Sequence, residues 1–194
     1  MRLVILGGSG SGKSTQAQKL GRYFEVPDIS TGEILREAIS GSKTLESVYA
    51  NLGELGRYAQ PYVSKGELVP DEMIIEFIRL RLKKPDVGGG WILEGYPRTA
   101  FQAEELDFLL DELGQKLDWA IYLQVPEAVM VSRSLGRSLP DDQPEIVQRR
   151  VEIFYDRTIP ILEYYDRRRR LLTINGDQLP EVVLHSILTL LEAA

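Results

Sequence analysis

The sequence predicts an α/β fold, a three-layer sandwich with a five-stranded parallel sheet between two layers of helices. Three observations carry that prediction. Five short apolar runs alternate with longer stretches of helical periodicity along the whole chain. The runs are continuous rather than alternating, as strands buried on both faces are. The first run leads at once into a glycine-rich turn and a polar helix, the start of a strand–loop–helix unit with a right-handed crossover.

The strand runs are residues 3–6, 26–30, 91–93, 119–125 and 171–174, the second being the weakest. Helical patterns occupy 13–24, 32–39, 71–82, 101–113, 127–135, 144–168 and 181–191, with Pro160 bending the long sixth one. Gly88-Gly89-Gly90 is a turn ahead of the third strand. Two stretches break the alternation within a single domain, 1–194. Residues 30–69 hold helices without a strong strand and read as an inserted helical flap. Residues 134–142 read as a short polar loop between two helices, a lid. Plain surface connections would produce the same patterns. Ligands in such sheets bind beyond the carboxyl ends of the strands, where closing segments keep water from a phosphoryl donor.

The 194 residues are 43% hydrophobic and 27% charged, with a formal net charge of −6. An acidic surface argues against nucleic acid or an anionic membrane as the main partner. Any phosphate site must then be a local concentration of positive charge. The chain has no cysteine, which excludes disulfides, thiolate metal sites and a cysteine nucleophile. No secretory signal is visible ahead of the first strand, and the apolar runs fall far short of a membrane span. A cytoplasmic enzyme is the expectation.

Residues Gly7-Gly8-Ser9-Gly10-Ser11-Gly12-Lys13-Ser14 spell G-x-x-x-x-G-K-S directly behind the first strand. The order strand, glycine turn, helix is that of a phosphate-binding P-loop. Glycines let successive backbone N–H groups point inward at an anion, and the helix N-terminus adds its positive dipole end. Lys13 supplies a full charge for the outer phosphates, and the Ser14 hydroxyl is a candidate Mg²⁺ ligand. A merely flexible glycine loop is the plain alternative. A dinucleotide fingerprint fails, because it needs a glycine where Lys13 stands.

After the third strand comes Glu94-Gly95-Tyr96-Pro97-Arg98-Thr99, then Gln102. The strand delivers an acid, a glycine for close approach, a proline-fixed turn and an arginine to one sheet edge. Glu94 suits Mg²⁺ held through its water shell, since that ion dehydrates reluctantly. Arg98 can grip a phosphate with its planar fork, and the Gln102 amide both donates and accepts, as an adenine edge requires. In isolation each has a plainer reading: a surface acid, a turn arginine, an exposed helix glutamine.

These motifs together resemble the adenylate kinases, in their short-lid form, among the nucleoside monophosphate kinases. The residues that carry the resemblance run in order: 7–16, Asp28-Ile29-Ser30-Thr31-Gly32-Glu33-Ile34-Leu35-Arg36, Gly66-Glu67-Leu68-Val69-Pro70-Asp71, 93–99 with Gln102, Asp141-Asp142, Arg149-Arg150 and Tyr164-Tyr165. The resemblance implies a P-loop kinase fold with a helical NMP-binding flap and a short lid. It implies reversible transfer of the terminal phosphoryl group of ATP to AMP, with Mg²⁺, giving two ADP, by a monomer. Gly10, Ser11, Gly12, Lys13, Ser14 and Thr15 would hold the ATP phosphates. Arg133 and Gln178 would lie at the ATP base. Thr31, Arg36, Leu68, Val69, Gly95, Arg98 and Gln102 would form the AMP site. Arg137 and Arg150 would contact the phosphates during transfer, beside Lys13 and Arg98. Ser14, and Glu94 through water, would serve the metal.

The chain departs from the family pattern at several positions. Ser9 stands where proline is usual, Ser14 where glycine is usual, and Glu94 where aspartate is usual. The stretch between Arg36 and Leu68 is longer and extends the flap. Relatives carry an arginine two residues before the paired aspartates; here that residue is Leu139, and Arg137 is the nearby substitute. Two alternatives stay in view: a UMP/CMP-type kinase, since related pyrimidine kinases share the P-loop and the Gly-x-Pro-Arg turn, and a nucleotide-binding sensor with weak turnover, which Leu139 and Glu94 motivate. Asp142 with Glu145 also reads as a capping box, with Pro144 in the first turn. Arg167–Arg170 reads as a solvated helix end, and His185, the single histidine, as packing or surface.

Overall fold

The computed structural model describes residues 1–40 and 52–194. Strands Arg2–Leu6 (β1), Asp28–Ser30 (β2), Trp91–Glu94 (β3), Trp119–Gln124 (β4) and Leu171–Asn175 (β5) pair in parallel in the order β2-β3-β1-β4-β5. The order reverses around β1, so the crevice beyond its carboxyl end is the switch point of the sheet. Register places Ile5 and Ser30 opposite Glu94, and Leu6 opposite Tyr122. Glu94 therefore reaches the same sheet edge from which the glycine loop departs.

Alternate residues of each strand face opposite helix layers, because side chains on a strand have a period of two. Val4, Leu6, Leu93 and Ala120 pack on Asp71–Leu82 (α4), Ala100–Glu112 (α5) and Pro160–Asp166 (α8) through Ile78, Leu106 and Tyr165. Leu3, Ile5, Ile92 and Ile121 pack on Lys13–Phe24 (α1) and Pro180–Ala193 (α9) through Leu20 and Ile187. Each fully buried aliphatic side chain contributes about 1.5–3 kcal/mol. This two-sided burial is why the strand runs are continuous in sequence.

Between β2 and α4 lie Thr31–Ser40 (α2) and Leu52–Val63 (α3), which pack together. The extension inferred between Arg36 and Leu68 includes residues 41–51, outside the described residues. Glu127–Gly136 (α6) and Pro144–Ile153 (α7) flank the short loop 137–143.

Three sequence expectations need correction. The second strand is Asp28–Ser30, because Val26 and Pro27 are spent on the turn that follows α1, where Val26 N–H donates to Gly21 O at 2.9 Å. Helix α6 runs to Gly136, so the loop expected at 134–142 spans 137–143. The long helix 144–168 is two helices, α7 and α8, joined by a π-helical turn at Phe154–Thr158. Pro160 has no N–H to continue the regular ladder, and Ile159 N–H reaches back five residues to Phe154 O at 2.9 Å.

Candidate active site

One cavity opens at the carboxyl edge of β1 and β3, lined by the glycine loop, α2, the 66–69 segment, the 94–98 turn, the lid loop and α7. Its floor is the loop itself. Gly10 sits at φ +81°, and a Cβ there would meet Met130 O at 2.2 Å, so the loop lies directly on α6. The ammonium of Lys13 donates to Gly8 O at 2.7 Å across the loop. Burial pulls the Lys13 pKa from 10.5 to about 8; Glu94 opposes the fall, while Arg98, Arg137 and Arg150 add to it. Burial likewise lowers Arg98, which still carries its proton at neutral pH.

Glu94 closes the β3 side. Its carboxylate is 4% exposed and accepts from Ser14 Oγ at 2.9 Å and from Ser30 Oγ. Beyond it the chain turns at Gly95 (φ +82°), where a Cβ would stand 2.1 Å from Thr31 Oγ1. Only glycine allows that approach of the 94–98 turn to α2. A cis Tyr96–Pro97 bond follows. Arg98 then folds back, its Nε donating to Gly95 O at 2.9 Å. Thr158 of the π-helical turn fixes it from the far side, with Oγ1 donating to Arg98 O at 2.9 Å.

Gln102 lies one turn into α5 and is buried. Its Oε1 accepts from Arg98 N–H at 2.8 Å and its Nε2 donates to Asp71 Oδ1 at 2.8 Å. One N–H and one lone pair of the amide remain for a ligand.

Arg137 of the 137–143 loop and Arg150 of α7 are held by the paired aspartates. Asp142 accepts from Arg137 Nε at 3.1 Å and Nη2 at 2.9 Å, and from Arg150 Nη1 at 3.2 Å. Asp141 accepts from Arg150 Nη2 and lies 3.8 Å from Arg36 Nη1 of α2. Burial pushes the Asp141 carboxyl up, but Arg150, with help from Arg36, outweighs it and holds the group below its usual value. The capping box expected of Asp142 and Glu145 does not form. Gln143 is the N-cap of α7, without a side-chain cap bond, and Asp142 is committed to arginines. Pro144 does open the helix.

Lys13, Ser14, Thr31, Arg36, Leu68, Val69, Gly95, Arg98, Gln102, Arg137 and Arg150 all line this cavity. Gly10, Ser11, Gly12 and Thr15 form the loop and helix start beneath it. The Ser11 hydroxyl is buried within the loop, away from the cavity, so only its backbone serves the floor. Arg133 and Gln178 stand apart from the cavity lining. Arg133 donates to Gly176 O and Asp177 Oδ1, both at 3.2 Å, beside the exposed Gln178 loop after β5. Sequence reasoning missed Asp71 as the partner of Gln102, Thr158 as the anchor of Arg98, and Ser30 at Glu94. Asp71 lay within a quoted motif; Thr158 gave no signal. The Arg167–Arg170 run is solvent-facing in part, but Arg170 pairs with Asp107 at 3.4 Å, and His185 is exposed.

A parallel α/β sheet carrying a P-loop at its switch point, with arginines converging from four other segments, defines a P-loop phosphotransferase. The adenylate kinase family model matches residues 5–170. The chain is 83% identical over 191 residues to adenylate kinase 2 of Nostoc sp. (strain PCC 7120 / SAG 25.82 / UTEX 2576), covering 98% of each chain. It is 56% identical over 188 residues to adenylate kinase 2 of Synechocystis sp. (strain ATCC 27184 / PCC 6803 / Kazusa), covering 95% of this chain and 98% of that one. It is 36% identical over 209 residues to adenylate kinase of Caldicellulosiruptor bescii, covering 92% and 93%. The chain belongs to the adenylate kinase family.

Proposed function

We infer that this enzyme transfers the terminal phosphoryl group of ATP to AMP, reversibly, giving two ADP. The observation that carries the reading is the convergence of Lys13, Arg36, Arg98, Arg137 and Arg150 on one cavity over the P-loop. Phosphoryl transfer asks a protein for positioning and charge compensation more than for covalent chemistry. The loop amides and Lys13 hold the ATP phosphates. Arg133 and the loop at Gln178 take the ATP base. Arg36 and Arg98 take the AMP phosphate, with Thr31, Leu68, Val69, Gly95 and Gln102 around the acceptor nucleoside. Arg137 and Arg150 stand between the two, where charge builds on the transferring group, a placement worth roughly 10³–10⁵ in rate for an arginine in this reaction class.

The donor set fits Mg²⁺. One hydroxyl and one carboxylate, Ser14 and Glu94, lie 2.9 Å apart at the loop. Among the described residues no group of three or more His, Cys, Asp or Glu side chains is placed to hold a metal. Such a sparse set suits an ion that keeps its waters and takes other ligands from phosphate. When bound, Mg²⁺ neutralises charge on the outer phosphates and fixes their orientation.

The helices α2 and α3 act as the flap over AMP, and 137–143 as the lid. The sensor alternative rested on Leu139 and Glu94; the bond from Arg137 Nη2 to Ser9 Oγ of the P-loop, at 3.1 Å, supports turnover over that alternative. The enzyme works as a monomer in the cytoplasm; among the described residues no helix is long and apolar enough to cross a membrane. Purified protein with Mg²⁺, ATP and AMP is expected to form ADP at a rate far above an ATP-only control, and faster than with CMP or UMP at equal concentration. ADP no higher than that control overturns the reading.

A further inference from the structure

We propose that Ser9 is a positioning residue for catalysis, whose hydroxyl aligns the lid arginine Arg137 with the P-loop lysine. The inference rests on the reading of Arg137 as a transfer arginine. The Ser9 Oγ receives two hydrogen bonds, from Arg137 Nη2 at 3.1 Å and from Ser134 Oγ at 3.1 Å. Both donors come from the α6–lid segment, more than a hundred residues away in sequence. Ser134 is fully buried, and it is close enough to the loop that a Cβ on Gly10 would stand 2.8 Å from its Oγ. The junction is therefore packed as well as bonded.

Asp142 grips the Nε–Nη2 edge of Arg137. That two-bond pair holds the guanidinium from one side only. Ser9 supplies the second fixed point, on the loop side, and among the described residues Nη1 is left as the guanidinium nitrogen without a protein partner. Ser9 also adjoins Gly8, whose carbonyl accepts from Lys13 Nζ at 2.7 Å. Two consecutive residues thus hold the two cations that face the transferring group. Misplacing such a group by even 1 Å is costly in rate. With both its lone pairs filled by these donors, the Ser9 oxygen has its own proton left to give, and Ser9 lines the cavity.

The test uses the whole enzyme with Mg²⁺, ATP and AMP, comparing wild type, Ser9→Ala, Ser9→Gly, Ser9→Thr, Arg137→Ala and the Ser9→Ala/Arg137→Ala double variant. A hydrogen bond to a charged group, here partly solvent-exposed, corresponds to about tenfold in kcat. Ser9→Ala and Ser9→Gly should each lose about that factor, with KM for both nucleotides within roughly twofold of wild type, and Ser9→Thr should recover kcat. In the Arg137→Ala background, Ser9→Ala should change kcat by less than about twofold, because the residue to be aligned is gone. A Ser9→Ala kcat equal to wild type, or a full-sized Ser9→Ala effect without Arg137, overturns the proposal. Arg137→Ala at wild-type kcat overturns instead the reading on which it rests. Arg137→Ala crippled beside a normal Ser9→Ala removes Ser9 alone. Ser9→Gly guards against a folding defect specific to the alanine variant.

Discussion

Asp142→Asn separates two physical readings of one residue. The Asp142 side chain has no exposed surface and receives three N–H donors, two from Arg137 and one from Arg150, at 2.9–3.2 Å. The Asn side chain keeps one acceptor oxygen and loses the charge. Breaking a fully buried pair costs about 3–5 kcal/mol. Arg137 is 38% exposed, so water screens its share to about 0–1 kcal/mol. Arg150 is 15% exposed and retains Asp141, which reduces its share to roughly 2 kcal/mol. The expected loss is about 2–3 kcal/mol, or roughly 5–10 °C in melting temperature for a chain of this size. Urea unfolding should show a lower midpoint at unchanged slope. Turnover should fall by about tenfold or more, because Arg137 and Arg150 lose a common anchor. A capping role predicts the opposite, since asparagine caps as well as aspartate. Stability within about 0.5 kcal/mol of wild type together with normal kcat would refute the ion-pair argument.

Three further outcomes are expected. Gly95→Ala strains a φ of +82° and drives a Cβ to 2.1 Å from Thr31 Oγ1; it should cost about 2–4 kcal/mol in urea unfolding and raise the KM for AMP more than that for ATP. Gln102→Leu removes the bonds to Arg98 N–H and Asp71; steady-state kinetics should show a rise of about tenfold in AMP KM with ATP KM unchanged, and equal rises in both would remove Gln102 from the acceptor side. Glu94→Gln keeps acceptors for Ser14 and Ser30 but loses the charge; the Mg²⁺ concentration for half-maximal rate should rise about 10–100-fold, and an unchanged Mg²⁺ dependence would take Glu94 out of the metal's surroundings.

The parts of this molecule written in local sequence were legible, and those written in tertiary contact were not. The strand runs were plain because both sheet faces are covered, so nothing polar interrupts 3–6 or 119–123. The P-loop was plain because strand, glycine turn and helix start are contiguous. Strand β2 was overextended because Val26 is apolar yet belongs to a turn. The break at 154–158 was anticipated only as a bend, since a proline announces lost hydrogen bonds without saying how the backbone reroutes them. Of the two readings of Asp142, the capping box fails because it is a four-residue local pattern, while the partners of Asp142 are Arg137 and Arg150. Three of the bonds that set Gln102 and Arg98 involve Asp71, Thr158 and a backbone N–H, and residue type alone does not foretell them.

A site for two nucleotides must solve a problem of repulsion before any ligand arrives. Five cations, Lys13, Arg36, Arg98, Arg137 and Arg150, line one cavity; of three buried acids, Glu94 and Asp141 line it with them and Asp142 lies behind Arg137 and Arg150, and Glu67 lines the cavity as well. Like charges at 4 Å repel by about 4 kcal/mol under the screening usual near a protein surface. The buried acids offset that without blocking the site, because each grips one edge or flank: Asp142 and Asp141 hold Arg137 and Arg150 from behind, and Glu94 sits under the loop with Ser14 and Ser30. With Glu67 counted beside the three buried acids, the remaining excess is one positive charge, five less four, which is smaller than the negative charge of a triphosphate and a monophosphate together. The protein alone is therefore electrostatically short of what its two ligands require. On the proposed reading, a divalent ion arriving with ATP makes up part of the difference. Were all three acids replaced by neutral residues, the extra positive charge would bind phosphate more tightly but leave the arginines unanchored, trading turnover for affinity.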